Sequence, residues 1–181
     1  MAARAWRWFA AAALAAALAA SAGGAAGAAG AAATAATAVG PVTNLPLPRF
    51  VSVRAETANA RRGPSLSHRV DWTFVLRGLP LEVTGEYGHW RRVRDADGAG
   101  GWVHHSLLSG VRTALVRGEA PVTLRSAASE GAAIRAVVEP GVVGRLEACA
   151  EAWCQISVEG VKGWAPRAAL WGVGPDETFR R

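Results

Sequence analysis

Apolar and polar residues alternate with a period of two in two separated stretches of the chain. Leu79, Leu81 and Val83 alternate with Pro80, Glu82 and Thr84, the pattern of a strand with one face in a core and the other toward solvent. Gly85 to Gly88 predicts a turn and Trp90 to Arg94 a returning strand. Asp95 to Gly100 is a loop of turn formers, and Gly101 to His104 a third strand. His105 to Leu108 reads as one helical turn. The second stretch repeats this order, with strands over Val142 to Ala148 and Gln155 to Val158, a shorter turn over Glu159 to Lys162, and a closing Ala165 to Leu170. No long amphipathic helix is predicted.

The two stretches align residue by residue. With Gly78 laid on Gly141, Val83 falls on Leu146, Trp90 on Trp153 and Val93 on Ile156. After a one-residue gap, Gly101-Trp102 meets Gly163-Trp164. Upstream, Asn59 to Ser65 and Val122 to Ser126 open each copy and lead into long polar loops. A duplicated unit of about 60 residues implies two similar domains, each with a core so small that mutual packing or a covalent staple should help it. Short strands with such turns predict an all-β chain of two small antiparallel barrels in tandem, residues 49–110 and 111–177.

The residues Asn59-Ala60-Arg61-Arg62-Gly63-Pro64-Ser65, Gly78 to Trp90 and Gly101-Trp102-Val103 resemble the bacterial Src-homology-3-like (SH3-like) domain. The block from Arg69 to Gly110 is similar to exported tandem SH3-like proteins of Gram-negative bacteria, and the resemblance spans roughly Phe50 to Glu177. It implies two SH3-like barrels serving as cell-wall-targeting or interaction modules. Copy two departs from the pattern, with Ser126-Ala127-Ala128 where copy one has Gly63-Pro64.

The N-terminus adds a compartment. Arg4 and Arg7, the apolar run Trp8 to Ala20 and the small residues Ala20-Ser21-Ala22 fit a secretory signal peptide over residues 1–22; the alternative is an uncleaved anchor. Residues 23–48 read as an Ala-, Gly- and Pro-rich linker of low order, extended over Val39 to Pro48 by Pro41, Pro46 and Pro48. A periplasmic or otherwise exported location, without stable membrane insertion once the signal is removed, is therefore expected.

Cys149 and Cys154, the only two cysteines, flank Ala150-Glu151-Ala152-Trp153 in a predicted hairpin. Residues facing one another across such a turn lie within disulfide reach, and an oxidising compartment favours the bond. A catalytic thiol would want a histidine base, yet His68, His89, His104 and His105 all lie in copy one without a recognised protease context. A zinc site would need two further ligands. Neither a catalytic residue, nor a metal site, nor a cofactor is expected.

The net charge of +6 and pI of about 10.9 point naively to a polyanion. Losing Arg4 and Arg7 with the leader takes two of the 20 basic residues against 14 acidic ones, leaving +4. The rest is almost all arginine in ones and twos, so nucleic acid is not expected as a partner.

Recognition residues are sought among side chains found in one copy only. Trp72, Tyr87, His89, Arg91 and His104, with His105, have no match in copy two. They combine aromatic contact area with groups that can meet carboxylates, such as those of peptidoglycan stem peptides. Trp90 and Val93 sit three apart, so either a bulge re-aims one or Trp90 is partly exposed. Trp102 and Trp164 are expected in the core. Together these features predict a non-catalytic exported envelope protein binding cell-wall peptide or an envelope protein partner. The alternative is a cell-wall hydrolase or its regulatory subunit.

Overall fold

The computed structural model describes residues 38–180. The expected signal peptide, 1–22, and residues 23–37 of the expected linker lie outside the described residues. The first strands, β1 (Ala38–Val39) and β2 (Pro46–Leu47), pair as a hairpin. Copy one then comprises β3 (Arg49–Val53), β4 (Ala58–Arg61), β5 (Val70–Phe74), β6 (Pro80–Tyr87), β7 (Trp90–Arg94), β8 (Gly100–His104), a 3-10 turn (His105–Leu107) and β9 (Leu108–Ser109). Copy two follows with β10 (Thr113–Val116), β11 (Val122–Arg125), β12 (Ile134–Val138), β13 (Val143–Ala150), β14 (Trp153–Val158), β15 (Val161–Pro166), a 3-10 turn (Arg167–Ala169) and β16 (Leu170–Trp171). A final strand, β17 (Phe179–Arg180), pairs with β13.

Hydrogen-bonded strand order shows the duplication directly. Copy one runs β5-β4-β8-β7-β6-β3-β9 and copy two β12-β11-β15-β14-β13-β10-β16. Every neighbour relation is the same, so each sheet curls into the same small antiparallel barrel. Even the irregularities recur: β6 slips register against β7 between Val83 and Gly85, and β13 against β14 between Leu146 and Ala148. A bulge at that place lets one long strand serve both halves of a small barrel. Gly101 and Gly163 allow the barrel wall to close. A Cβ on Gly101 would lie 2.6 Å from the Arg61 carbonyl oxygen, and one on Gly163 2.6 Å from the Leu124 Cβ.

The cores follow the strand alternation. Val53, Ala58, Ala60, Phe74, Leu81, Val83, Val93, Val103 and Leu108 fill barrel one. Ala114, Val116, Leu124, Leu146, Ile156, Ala165 and Leu170 fill barrel two with the Cys149–Cys154 disulfide. Trp102 and Trp164, expected in the core, are only half-buried. Their neighbours Val103 and Ala165 take the inward positions, because a period of two allows only one of two successive residues to point inward. Trp102 lies across from Arg61 and Trp164 across from Arg125.

The expected low-order segment before barrel one is instead built into the fold from residue 38 onward. Leu47 is buried against the core of barrel one. The Glu86 carboxylate accepts hydrogen bonds from the Val42 amide (3.0 Å), the Thr43 amide (2.9 Å) and the Thr43 hydroxyl (2.6 Å). Prolines that deny the segment a continuous ladder leave its amides for a side chain to collect.

Both barrels belong to one compact unit. The Trp171 indole donates to the Pro80 carbonyl at 3.1 Å, and the Thr113 hydroxyl donates to the Gly78 carbonyl at 2.6 Å. The Phe50 and Trp171 rings meet edge to face with centroids 5.2 Å apart, an arrangement in which a positive ring edge faces a negative π-cloud. Pro80 and Glu82, read as the solvent face of their strand, are therefore buried as well. The Glu82 carboxylate on that face is paired with Arg94.

Candidate functional site

Residues directly opposed in a sheet share a face, so the register of β6, β7 and β8 sorts the predicted recognition residues into two rows. Tyr87 faces Trp90, and Trp90 faces His104. This row points outward, with Tyr87 exposed and Trp90 and His104 half-buried. Trp90 thus lies on the face opposite Val93, and no bulge re-aims it. The next row, Glu86–Arg91–Val103, points inward.

Arg91, expected to meet a ligand, is buried on the inward row with partners inside the barrel. Its guanidinium donates to the carbonyls of Gly88 (2.8 Å) and Trp90 (2.9 Å) and lies 3.5 Å from Glu86. Glu86 also takes the Arg49 guanidinium at 2.6 Å. Burial alone would raise the Glu86 pKa. The hydrogen bonds from the Thr43 hydroxyl and amide, Arg49 and the Val42 amide outweigh it and hold the carboxyl at about 2.

Barrel two replaces this ion pair with a covalent bond. Cys149 and Cys154 are the cross-strand pair at the places of Glu86 and Arg91. Its outward row is Ala150–Trp153–Pro166. Open grooves lie on either side of Trp153 and Pro166. One, of about 660 Å³, is lined also by Leu170, Trp171, Val173, Arg117 and Glu130. The other, of about 440 Å³, includes Thr123, Arg125 and Glu130. Arg117 stacks its guanidinium over the Trp171 ring, 5.6 Å from the centroid, holding that wall in place.

Around the outward row of barrel one the structure gathers three histidines. Ring centroids are 5.9 Å apart for His89 and His104, 5.4 Å for His89 and His105, and 4.8 Å for His104 and His105. The Trp90 ring meets His104 edge-on at 5.4 Å. The β6–β7 turn supplies His89 and the end of β8 supplies His104. The 3-10 turn places His105 beside them through its amide, which donates to the His89 carbonyl at 2.9 Å. His104 Nδ1 and the Ser106 hydroxyl lie 2.7 Å apart. Crowding against these rings removes water from His105, and the charges of His104, His89, Arg91 and Arg54 add to the effect, so its pKa falls below the ordinary 6.5. Among the described residues no group of three His, Cys, Asp or Glu side chains is arranged to hold a metal ion.

Trp72 does not join this cluster. It is 48% exposed on β5, separated from Tyr87 on β6 by β4, β8 and β7 in the strand order. The sequence marked Tyr87, His89 and His104 as candidates but not Trp153 or its grooves. The one available signal was that Trp153 repeats Trp90 at an outward position of the same strand. Arg117 and Glu130 gave none, because loops far apart in sequence place them beside Trp153.

A family profile described as Bacterial SH3 domain matches the chain twice, over residues 54–110 and 118–172. None of the curated proteins matches in sequence. Among solved structures, NlpC2 from Trichomonas vaginalis is similar with 14% identity and a TM-score of 0.32, covering 68% of this chain and 48% of that one. NlpC1 from the same organism gives 14% and 0.32 over 68% and 45%. This chain thus matches about half the length of those structures. Among the described residues no helix is long and apolar enough to cross a membrane.

Proposed function

Because the chain belongs to the bacterial SH3 domain family, a family of binding modules, we propose that it is a non-catalytic exported envelope protein whose two barrels bind cell-wall peptide. The observation that supports this most is the repeated outward row, which sets a half-buried tryptophan, Trp90 or Trp153, at the same place in each barrel. An aromatic flanked by grooves offers large contact area at low entropic cost. The sulfurs of Cys149 and Cys154 are committed to each other, so neither serves as a nucleophile. The disulfide also suits an oxidising, exported setting.

Purified peptidoglycan incubated with the folded protein tests the reading. Retention without soluble fragments is expected, together with at least tenfold weaker retention of Trp153→Ala at unchanged thermal stability. Release of muropeptides would establish a hydrolase instead. Absence of retention, with capture of an envelope protein, would leave a regulatory or structural subunit.

A further inference from the structure

The three-histidine cluster has no counterpart in barrel two, whose equivalents of His89, His104 and His105 are Ala152, Pro166 and Arg167. We infer that His89, His104 and His105, set around Trp90 and Tyr87, form a carboxylate-binding patch for an acidic peptide that strengthens as pH falls. The inference deepens the proposed peptide binding by assigning the chemistry of one of its two surfaces.

β7 contributes Arg91, whose guanidinium lies just under the outward row, bonded to the Gly88 and Trp90 carbonyls and 3.5 Å from Glu86. The residue after β3, Arg54, is tied to the 3-10 turn through its amide, which donates to the Leu107 carbonyl at 2.8 Å. The nearby carboxylate on β6, Glu86, faces inward and is consumed by Arg49, Thr43 and Val42. The charged groups that act on His105 are thus His104, His89, Arg91 and Arg54, every one a cation when charged. The His89 and His104 rings, with centroids 5.4 Å and 4.8 Å from that of His105, oppose its protonation.

A ligand carboxylate laid beside His105 offsets that repulsion and raises its proton affinity. By reciprocity, protons then raise the affinity for the carboxylate. A rise of one pKa step in one histidine is worth about tenfold in affinity once the pH lies below both values. Trp90 and the 65% exposed Tyr87 supply a flat surface beside the charge for the peptide's apolar groups. Without ligand the sign is the opposite for stability. His105 is depressed in the fold, so its contribution is present above the ordinary value and fades as pH falls through the folded one.

The test uses the folded, disulfide-intact protein with a synthetic stem peptide of alanine, D-glutamate and a diamino acid. The free-acid and fully amidated forms are compared by calorimetry at pH 5.5 and 7.5. The free acid is expected to bind severalfold more tightly at pH 5.5, the amidated form to show no such gain, and the His105 imidazole NMR signals to titrate at higher pH when the free acid is bound. His89→Asn with His105→Asn should abolish the gain. Equal affinity of the free acid at both pH values, or a gain that survives the double substitution, overturns the patch. If the peptide binds equally at both pH values but is lost in Trp153→Ala, peptide binding stands and the histidine assignment alone fails.

Discussion

Replacing Glu86 with glutamine removes the charge on which the N-terminal hairpin and two arginines converge. The side chain of Glu86 is fully buried and collects two amides, a hydroxyl and the Arg49 guanidinium, with Arg91 alongside. The drop of its pKa from the ordinary 4.5 to about 2 corresponds to about 3 kcal/mol of preference for the charged form in the fold. Breaking a buried ion pair by removing one partner costs about 3–5 kcal/mol in general, so the two figures agree. Glutamine keeps one acceptor but turns an amide group toward donors, leaving Arg49 and Arg91 without a counter-charge. A loss of about 3 kcal/mol at pH 7 is expected, a urea midpoint lowered by about 1.5 M for a slope near 2 kcal/mol per molar. Because the folded value lies below the unfolded one, the contribution is complete above about pH 4.5 and is lost as pH falls toward about 2. By pH 3 roughly two of those three kcal/mol have gone from the native protein, so the gap between native and variant should narrow accordingly. Urea unfolding at pH 7, 4 and 3 measures this, and hydrogen exchange at Val42 and Thr43 reports on the hairpin itself. A loss below about 1 kcal/mol at pH 7, or a gap that does not shrink on acidification, would show that the Glu86 charge does not anchor the hairpin.

Two further perturbations address the frame. Reducing Cys149–Cys154 opens a short loop within one hairpin, and the chain-entropy estimate is about 2 kcal/mol; a urea midpoint about 1 M lower with reductant is expected, and an unchanged midpoint would count against the bond as a staple of barrel two. Trp171→Ala removes the indole that donates to Pro80 and packs on Phe50; it should cost about 2 to 3 kcal/mol and split the calorimetric melt into two transitions as the barrels uncouple. A single transition at the native temperature would show that the barrels are joined by other contacts.

The duplicated pattern around Gly78 and Gly141 was enough to fix two like barrels, because strand alternation and turn chemistry are local and appear twice. The 3-10 turn after β8 and the Cys149–Cys154 pair were equally legible, since each depends on residues close in sequence. Strands β5 and β12 were read as loops. Of β5, whose pattern does alternate, only Phe74 is buried, and the pairing with β4 that makes it a strand comes from across the Gly63-Pro64 turn. The hairpin over β1 and β2 was read as disordered because nothing in Val39 to Pro48 announces a partner; Glu86, 43 residues beyond Thr43, supplies it.

Among the candidate site residues, comparison of the two copies could mark Tyr87, His89, Arg91 and His104 as unmatched, but not which way they face. Register decided that. A residue's face is set by the strand paired beside it, and a bulge between Val83 and Gly85 resets the count. Arg91 therefore turned inward to the place of a cysteine, while Tyr87, Trp90 and His104 turned out together. The order of residues carried the fold family, the repeat and the positions where the copies differ, including the alignment of Cys149 and Cys154 with Glu86 and Arg91, because these signals are local. Strand pairing across the barrel settled that each of those pairs faces itself inside its barrel, and that three histidines from a turn, a strand end and a 3-10 turn meet on one surface.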